Sequence, residues 1–326
     1  VNRPLEFWTI GDTRTASTRL RIHQYAPLLA ADDLAPRIHA IPHGFAPRLG
    51  RFARLAAGGR LLLQKKLFSP LELRWLRARV ERLIYDVDDA VYLDQGESSR
   101  NQERFGQVTE AADRVIAGNP TLARACTDPA RAVVIPTPVD TRLVTPGPPE
   151  AREPGLAVWI GSRAGLPSLD LVWPAWERVQ ARRPGARLAI LADRPPPRLP
   201  PAATFEPWTA EREADLLRRA SVGLMPLLDT PFNRGKCGFK ILLYQAAGVA
   251  VVASPVGLNA DLVRPDEDGF LPADEASWED ALDRLIADPA AARRFGEVGR
   301  ARVVATHSIQ ALYPRFRAAL LDGWGP

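Results

Sequence analysis

The feature that most constrains this chain is a rhythm. Short apolar bursts alternate with stretches of helical period, and the alternation runs twice, interrupted once by a segment without any period. Residues 7–10 read as a first strand, followed by a polar loop over 11–17 and a helix over 18–31. Residues 61–64 and 83–87 read as strands around a helix over 70–82, in which Leu73, Leu76, Val80 and Leu83 recur at spacings of three and four. Residues 111–118 and 133–136 close the first series as two further βα units. A second series follows, with strands at 156–160, 187–191, 203–205, 222–225 and 250–253. Helices are expected between and after them at 168–183, 210–220, 238–247, 258–263, 277–287 and 309–324. Alternation of this kind builds open parallel sheets covered by helices, the α/β class.

The interruption, residues 145–155, is rich in Pro and Gly and reads as a linker. The expected organisation is therefore two Rossmann-like domains, 1–146 and 147–305, with a last segment, 306–326, returning as a helix to the first. A chain of 326 residues also exceeds what one core usually supports. Two such sheets would place a ligand in a cleft facing the carboxyl ends of both sets of strands.

Composition narrows the function classes. With 46% hydrophobic and 25% charged residues the chain is globular rather than disordered. Its two cysteines, Cys126 and Cys237, cannot make a disulfide framework and have no metal-ligand spacing, so no metal and a reducing cytoplasm are expected. No signal peptide is visible at the start. The longest apolar run, 241–258, contains Gln245, Gly248, Pro255 and Gly257, which suits helix, turn and strand better than a membrane span.

The net charge of +5 is modest, but residues 37–82 hold eleven basic residues against Glu72 and Glu81. Such a segment suits peripheral contact with anionic lipid headgroups or phosphorylated ligands, or else a solvated arginine-rich face. Nucleic acid is not an expected partner. Lysine is the sharper signal: only four of 43 Lys and Arg residues are lysines, and they fall in two tight pairs, Lys65–Lys66 and Lys236–Lys240. A compact ammonium suits point contact with a phosphate in a crowded pocket, where the planar guanidinium of arginine fits less well.

The densest cluster is Arg234-Gly235-Lys236-Cys237-Gly238-Phe239-Lys240, at the start of a helix. Glycines, cations and a helix N-terminus can converge there on a diphosphate, although the spacing is not that of a Walker loop. Together with Tyr244-Gln245 and the run Ala253-Ser254-Pro255-Val256-Gly257-Leu258-Asn259, this cluster resembles retaining GT-B glycosyltransferases of family four. It is closest to a bacterial branch with an R-G-K-C-G-F-K donor motif. Further matches follow in order: Ser17-Thr18-Arg19-Leu20-Arg21, Gln64-Lys65, Asp86-Val87-Asp88-Asp89, Gly118-Asn119-Pro120, Trp159-Ile160-Gly161-Ser162 and Asp268-Gly269-Phe270.

The resemblance implies metal-independent transfer of a sugar from a nucleotide-diphosphate sugar co-substrate, with no other cofactor. The anomeric configuration would be retained, and the acceptor would be a cell-envelope, lipid-linked or other glycan. The second domain would bind the donor and the first the acceptor. Lys236 and Lys240, with Arg234 or Arg163 assisting, would stabilise charge growing on the departing diphosphate. Gly161 and Ser162 would turn beside the phosphates. Gly235, Gly238, Phe239 and Gly257 belong to the same donor motif, and Gln245 and Asn259 are its nearby polar groups. Trp208 would flank the base or fill the core.

In the first domain Asp88 and Asp89 would orient an acceptor hydroxyl or cap a helix. Lys65 would meet an acceptor or donor phosphate, with Arg19 and Arg21 facing the same cleft. One departure matters. Many relatives carry Glu-x7-Glu, whose second Glu contacts the donor ribose; here Gly235 and Leu243 occupy those positions. Two rival readings follow, a GT-B epimerase and a GT-B scaffold without chemistry. The epimerase would need a carboxylate and histidine set that the sequence does not offer, and Leu243 favours the scaffold of the two.

Overall fold

The computed structural model describes residues 5–55, 57–93 and 99–321. The chain divides into two compact units. The first comprises Val1–Pro138, Gly235–Cys237 and Ile309–Pro326, and the second Val139–Arg234 and Gly238–Ser308.

In the first unit six parallel strands run β1 (Leu5–Thr9), β2 (Arg37–Ala40), β3 (Arg60–Gln64), β4 (Arg82–Val87), β5 (Arg114–Ala117) and β6 (Ala132–Val134). They are ordered β2-β1-β3-β4-β5-β6. Side chains alternate across this sheet, so Leu61 and Leu63 join one buried cluster with Trp8 and Tyr85, while Leu62 joins the other with Phe7 and Ile84. Burial on both faces is why these strands read as unbroken apolar runs. The short edge strand β2 gave no such run, because its four residues are exposed or half-buried.

Two helices differ from expectation in this unit. The one expected over 18–31 is broken into Ala16–Thr18, a π-helical turn Arg19–His23, and Ala26–Ala31, which starts with Pro27 in its first turn. The one expected over 70–82 starts at Pro70, where Ser69 and Glu72 form a capping box, but ends at Arg77. Beyond it the backbone turns to pair with the residues before β3: Gly58 N donates to Arg79 O and Glu81 N to Gly59 O. The final helix, Ile309–Leu321, belongs to this unit; Phe316 stacks on Tyr25 at 4.1 Å between ring centroids. Residues 322–324 of the expected helix lie outside the described residues.

The second unit repeats the plan with β7 (Leu156–Ile160), β8 (Arg187–Ala192), β9 (Ala203–Pro207), β10 (Val222–Met225), β11 (Ala250–Ala253) and β12 (Gly269–Phe270). All are parallel, in the order β12-β11-β10-β7-β8-β9. Segment 145–155, read as a linker, is packed within this unit. Arg152 donates to the carbonyls of Leu217, Ala220 and Ala247, and burial lowers its pKa to about 10.

Sequence reading missed the longest helix, Pro289–Thr306. Its start carries a signature that could have revealed it, Asp288 capping Ala291 N with Pro289 in the first turn. Gly296 and Gly299 obscured it. At Gly296 the helix lies on backbone, where a Cβ would come 2.0 Å from Gly248 O, and at Gly299 it lies against the Gln245 side chain, where a Cβ would come 2.9 Å from Gln245 Cγ.

Candidate functional site

In each sheet the strand order reverses at one point, between β1 and β3 in the first unit and between β7 and β10 in the second. Chains leaving such a point diverge to opposite faces and open a crevice at the carboxyl ends, where open α/β sheets hold ligands.

In the second unit β7 and β10 pair only through Val222–Ala157 and Gly223–Val158. Beyond that the strand ends are joined by a side chain, because Tyr244 Oη accepts from Ile160 N at 2.9 Å and donates to Leu224 O at 3.3 Å. The Tyr244 ring lies flat against Gly223, whose Cβ, were there one, would sit 2.4 Å from it. Tyr244 is fully buried, and burial raises the pKa of its hydroxyl. Sequence reading placed Tyr244 in a motif without giving it this role.

Just past β7, the Lys240 ammonium stands 4.4 Å over the Trp159 ring, a cation–π contact. Gly161 keeps this space open: a Cβ there would lie 2.2 Å from Trp159 and 2.7 Å from Lys240 Nζ. Lys240 is the second residue of the helix Phe239–Ala246, whose N-cap, Gly238, has φ +61°, a conformation that glycine adopts without strain. The helix start, its cation and the bare turn at Gly161 thus converge at the reversal point.

The other donor-motif residues divide by burial. Gln245 and Asn259 are buried and donate to Leu262 O and Ser254 O. Arg234 is exposed and paired with Asp229, and Gly257 (φ +56°) packs against the Arg234 backbone. Ser162 and Arg163 are exposed, with Arg163 N donating to Asp193. Trp208 is 37% exposed and donates to Glu213, so it does not fill the core. Leu243 is buried among apolar neighbours.

The first unit gathers its motifs into one network at the ends of β3, β4 and β5. Arg21, on the π-helical turn, is 3% exposed. Its Nε and Nη2 bind the buried Asp86 carboxylate, at 2.6 Å for the shortest contact, while Nη1 reaches Ile135 O and Thr137. Burial works to lower the Arg21 pKa, but Asp86 outweighs it and the group stays charged. Arg21 is therefore committed inside the fold instead of facing a ligand. Thr18 donates to Gln64 at 2.8 Å, and Gln64 returns a bond to Ser17 O.

Lys65, at φ +54°, ion-pairs with Asp88 at 2.9 Å and Asp89 at 2.7 Å. Burial opposes its charge, yet the two carboxylates raise its pKa. Burial and the neighbouring Asp88 raise the pKa of Asp89. The residues after the aspartates, 90–93, form no helix for them to cap. Arg19 is half-buried and donates to Thr13 O.

Asn119 caps its own helix, accepting from Leu122 N, and donates Nδ2 to Gly235 O at 2.7 Å and Lys236 O at 3.3 Å. Cys237 donates Sγ to Asp88 O, and Gly118 leaves room for it, since a Cβ there would lie 2.4 Å from the sulfur. Segment Gly235–Cys237 is thereby held in this unit, and burial lowers the pKa of Lys236 while Asp89 opposes the change. The sequence offered Gly118-Asn119 only as a matched motif. Among the described residues no group of His, Cys, Asp or Glu is placed to hold a metal ion.

Residues 156–288 match the family model described as Glycosyl transferases group 1. That stretch is similar to group 1 glycosyltransferases, and the enzyme class is glycosyltransferase. Solved structures share the architecture of the whole chain. HepE of Anabaena, in complex with UDP and glucose, is 13% identical with a TM-score of 0.73, covering 97% of this chain and 99% of its own. A sucrose-phosphate synthase from Thermosynechococcus elongatus is 20% identical at 0.73, covering 98% and 100%. A glycosyltransferase from Rickettsia africae is 11% identical at 0.75, covering 99% of each chain. At these identities the likeness shows the fold, which is GT-B. No curated protein sequence matches the chain.

Proposed function

We propose that this protein transfers a sugar from a nucleotide-diphosphate sugar to a glycan or lipid-linked acceptor with retention of anomeric configuration. Residues 147–305 form the donor-binding part and residues 1–146, with the last helix, the acceptor part. The observation that carries the reading is the Lys240 ammonium at the start of a helix, beside the bare turn Gly161–Ser162 at the strand-order reversal. A fixed cation and converging N–H groups there stabilise the negative charge that grows on a departing diphosphate. Lys236 adds a second ammonium in this role, on a segment immobilised by Asn119. The complexes of HepE with UDP and with UDP-glucose support the nucleotide class. Leu243 cannot bind ribose hydroxyls, so that contact falls to other groups.

Asp88 and Asp89, held by Lys65, are proposed to orient the acceptor hydroxyl. The acceptor is proposed to lie at an anionic membrane, met peripherally. Helices Phe45–Arg54 and Pro70–Arg77 touch through their side chains, with the Phe52 and Trp75 rings edge-on at 6.3 Å and Arg48 paired with Glu72. They expose Phe45, Leu71 and Trp75 on helices that also carry Arg51, Arg54 and Arg74. Among the described residues no helix is long and apolar enough to cross a membrane. Salt-sensitive binding to anionic vesicles, with none to neutral ones, supports this contact; equal binding to both refutes it.

A thermal-shift screen with UDP-, GDP-, ADP- and dTDP-sugars names the donor through linkage. Lys240→Ala should then weaken donor binding by roughly 1.5–3 kcal/mol, the value of a charge-assisted contact, with the melting temperature of the free protein little changed. Unaltered affinity and turnover in that variant reject the site. Binding without turnover for any acceptor favours the scaffold.

A further inference from the structure

The loops that follow β7 and β8 border an open cavity of about 350 Å³, a size that accepts small organic ligands. Leu166, Pro167, Trp173 and the run Pro195–Pro197 make its apolar wall, and Arg163, Arg194, Arg198 and Asp170 supply its charge. Arg198 is turned onto Glu177. The guanidinium groups of Arg163 and Arg194 make no hydrogen bond or ion pair with any described residue. That distinguishes them within this unit, where almost every other arginine is held by a carboxylate or by backbone carbonyls, as Arg178, Arg219, Arg264 and Arg300 illustrate. Of the carboxylates here, Asp170 lines the cavity and Asp193 accepts from the backbone N–H of Arg163.

The walls are also fixed in advance. Arg163 N donates to Asp193 at 2.6 Å, which ties the loop after β7 to the loop after β8. Three consecutive prolines hold their own φ angles, and Trp173 and Leu166 are anchored in the buried cluster beneath. A guanidinium binds phosphate oxygens through two parallel N–H groups, and two of them beside a preformed apolar wall recognise a phosphate that bears an apolar or planar group.

We propose that this cavity binds an organic phosphate ester, with the phosphate between Arg163 and Arg194 and the organic group against Trp173 and Leu166. In this reading Arg163 serves the cavity and not the donor diphosphate, and the proposal goes beyond the proposed transfer reaction. Phenyl phosphate is a suitable probe, with inorganic phosphate as its comparison. Calorimetry should show phenyl phosphate binding at least tenfold more tightly than inorganic phosphate. Saturating UDP should leave the binding in place, and Arg194→Ala should weaken it at least tenfold without altering the melting-temperature shift given by UDP. Several results overturn the proposal: no binding at millimolar probe, equal affinity for the two phosphates, displacement by UDP, or indifference to Arg194→Ala. A parallel loss of the UDP response in Arg194→Ala also overturns it, because the cavity would then be part of the donor site. None of these outcomes bears on the Lys240→Ala test, so the two readings fail separately.

Discussion

The two units reverse their strand order in the same way, yet furnish the reversal with opposite chemistry. In the first, polar groups are engaged internally: the charges of Arg21 on Asp86 and of Lys65 on Asp88 and Asp89, and the neutral amide of Asn119 on the backbone of Gly235 and Lys236. In the second, the strand ends are joined by a neutral hydroxyl, space is kept by glycines, and an ammonium stands against an aromatic ring. The guanidinium groups of Arg163 and Arg194 have no carboxylate partner among the described residues. A cation already neutralised by a fixed anion positions the fold, because drawing it to a new anion would strand the old one in low dielectric. The same residue types are thus tied to carboxylates in one unit and, at Lys240, set against a ring in the other.

The contrast is tested most severely at Arg21. Arg21→Met leaves Asp86 charged or strained in a dry core and should cost about 3–5 kcal/mol, read from urea unfolding, whereas Arg163→Met should change stability by less than about 0.5 kcal/mol. Comparable losses in both would erase the distinction between the units.

Next in size is the neutral joint of the second unit. Gly223→Ala drives a methyl into the Tyr244 ring and should cost about 1–3 kcal/mol through overpacking. Tyr244→Phe should cost about 1–3 kcal/mol, because Ile160 N–H loses its acceptor inside the core. If both variants melt like the parent, the hydroxyl does not join the strands.

A smaller effect is expected at Asn119. Asn119→Ala removes a helix cap worth about 1 kcal/mol and frees the carbonyls of Gly235 and Lys236. Hydrogen exchange around residues 235–238 should then quicken while the centre of the second sheet keeps its protection. Unchanged exchange there would show that other contacts hold the segment.

The least of the expected effects is set by pH. Burial, with the Arg302 charge nearby, lowers the His307 pKa from 6.5 to about 4. The unfolded chain therefore binds the proton first, and stability falls as pH drops from about 6.5 toward 4 and is restored above it. His307→Gln should flatten the melting-temperature profile across that window relative to the parent. Parallel profiles would assign the acid sensitivity to carboxylates alone.

Most strands were legible because burial on both sheet faces writes apolar runs into the sequence; β7, β10 and β11 were read to the residue. The edge strand β2 and the two-residue β12 were not, since an exposed or very short strand needs no such run. The helix Pro289–Thr306 was hidden by glycines that make room for the Gly248 backbone and the Gln245 side chain, both distant in sequence. At the proposed site, the lysine pairs and the glycine-rich motif singled out the stretch of chain that starts the helix Phe239–Ala246. Their division of labour was invisible, because whether a cation meets a carboxylate or a ring depends on residues far away in sequence.

By itself, then, the sequence determined two α/β sheets and a cluster of glycines and cations at a helix start, since periodicity and local backbone preference are properties of neighbouring residues. Only the tertiary structure decided that Arg21 belongs to Asp86, that Lys65 closes on two aspartates, that Tyr244 joins two strands over Gly223, and that Asn119 holds the segment carrying Lys236. Those pairings span from about 20 to more than 110 residues of chain, and an ion pair or a buried hydrogen bond is fixed by the folded distance between its partners, which no local pattern encodes.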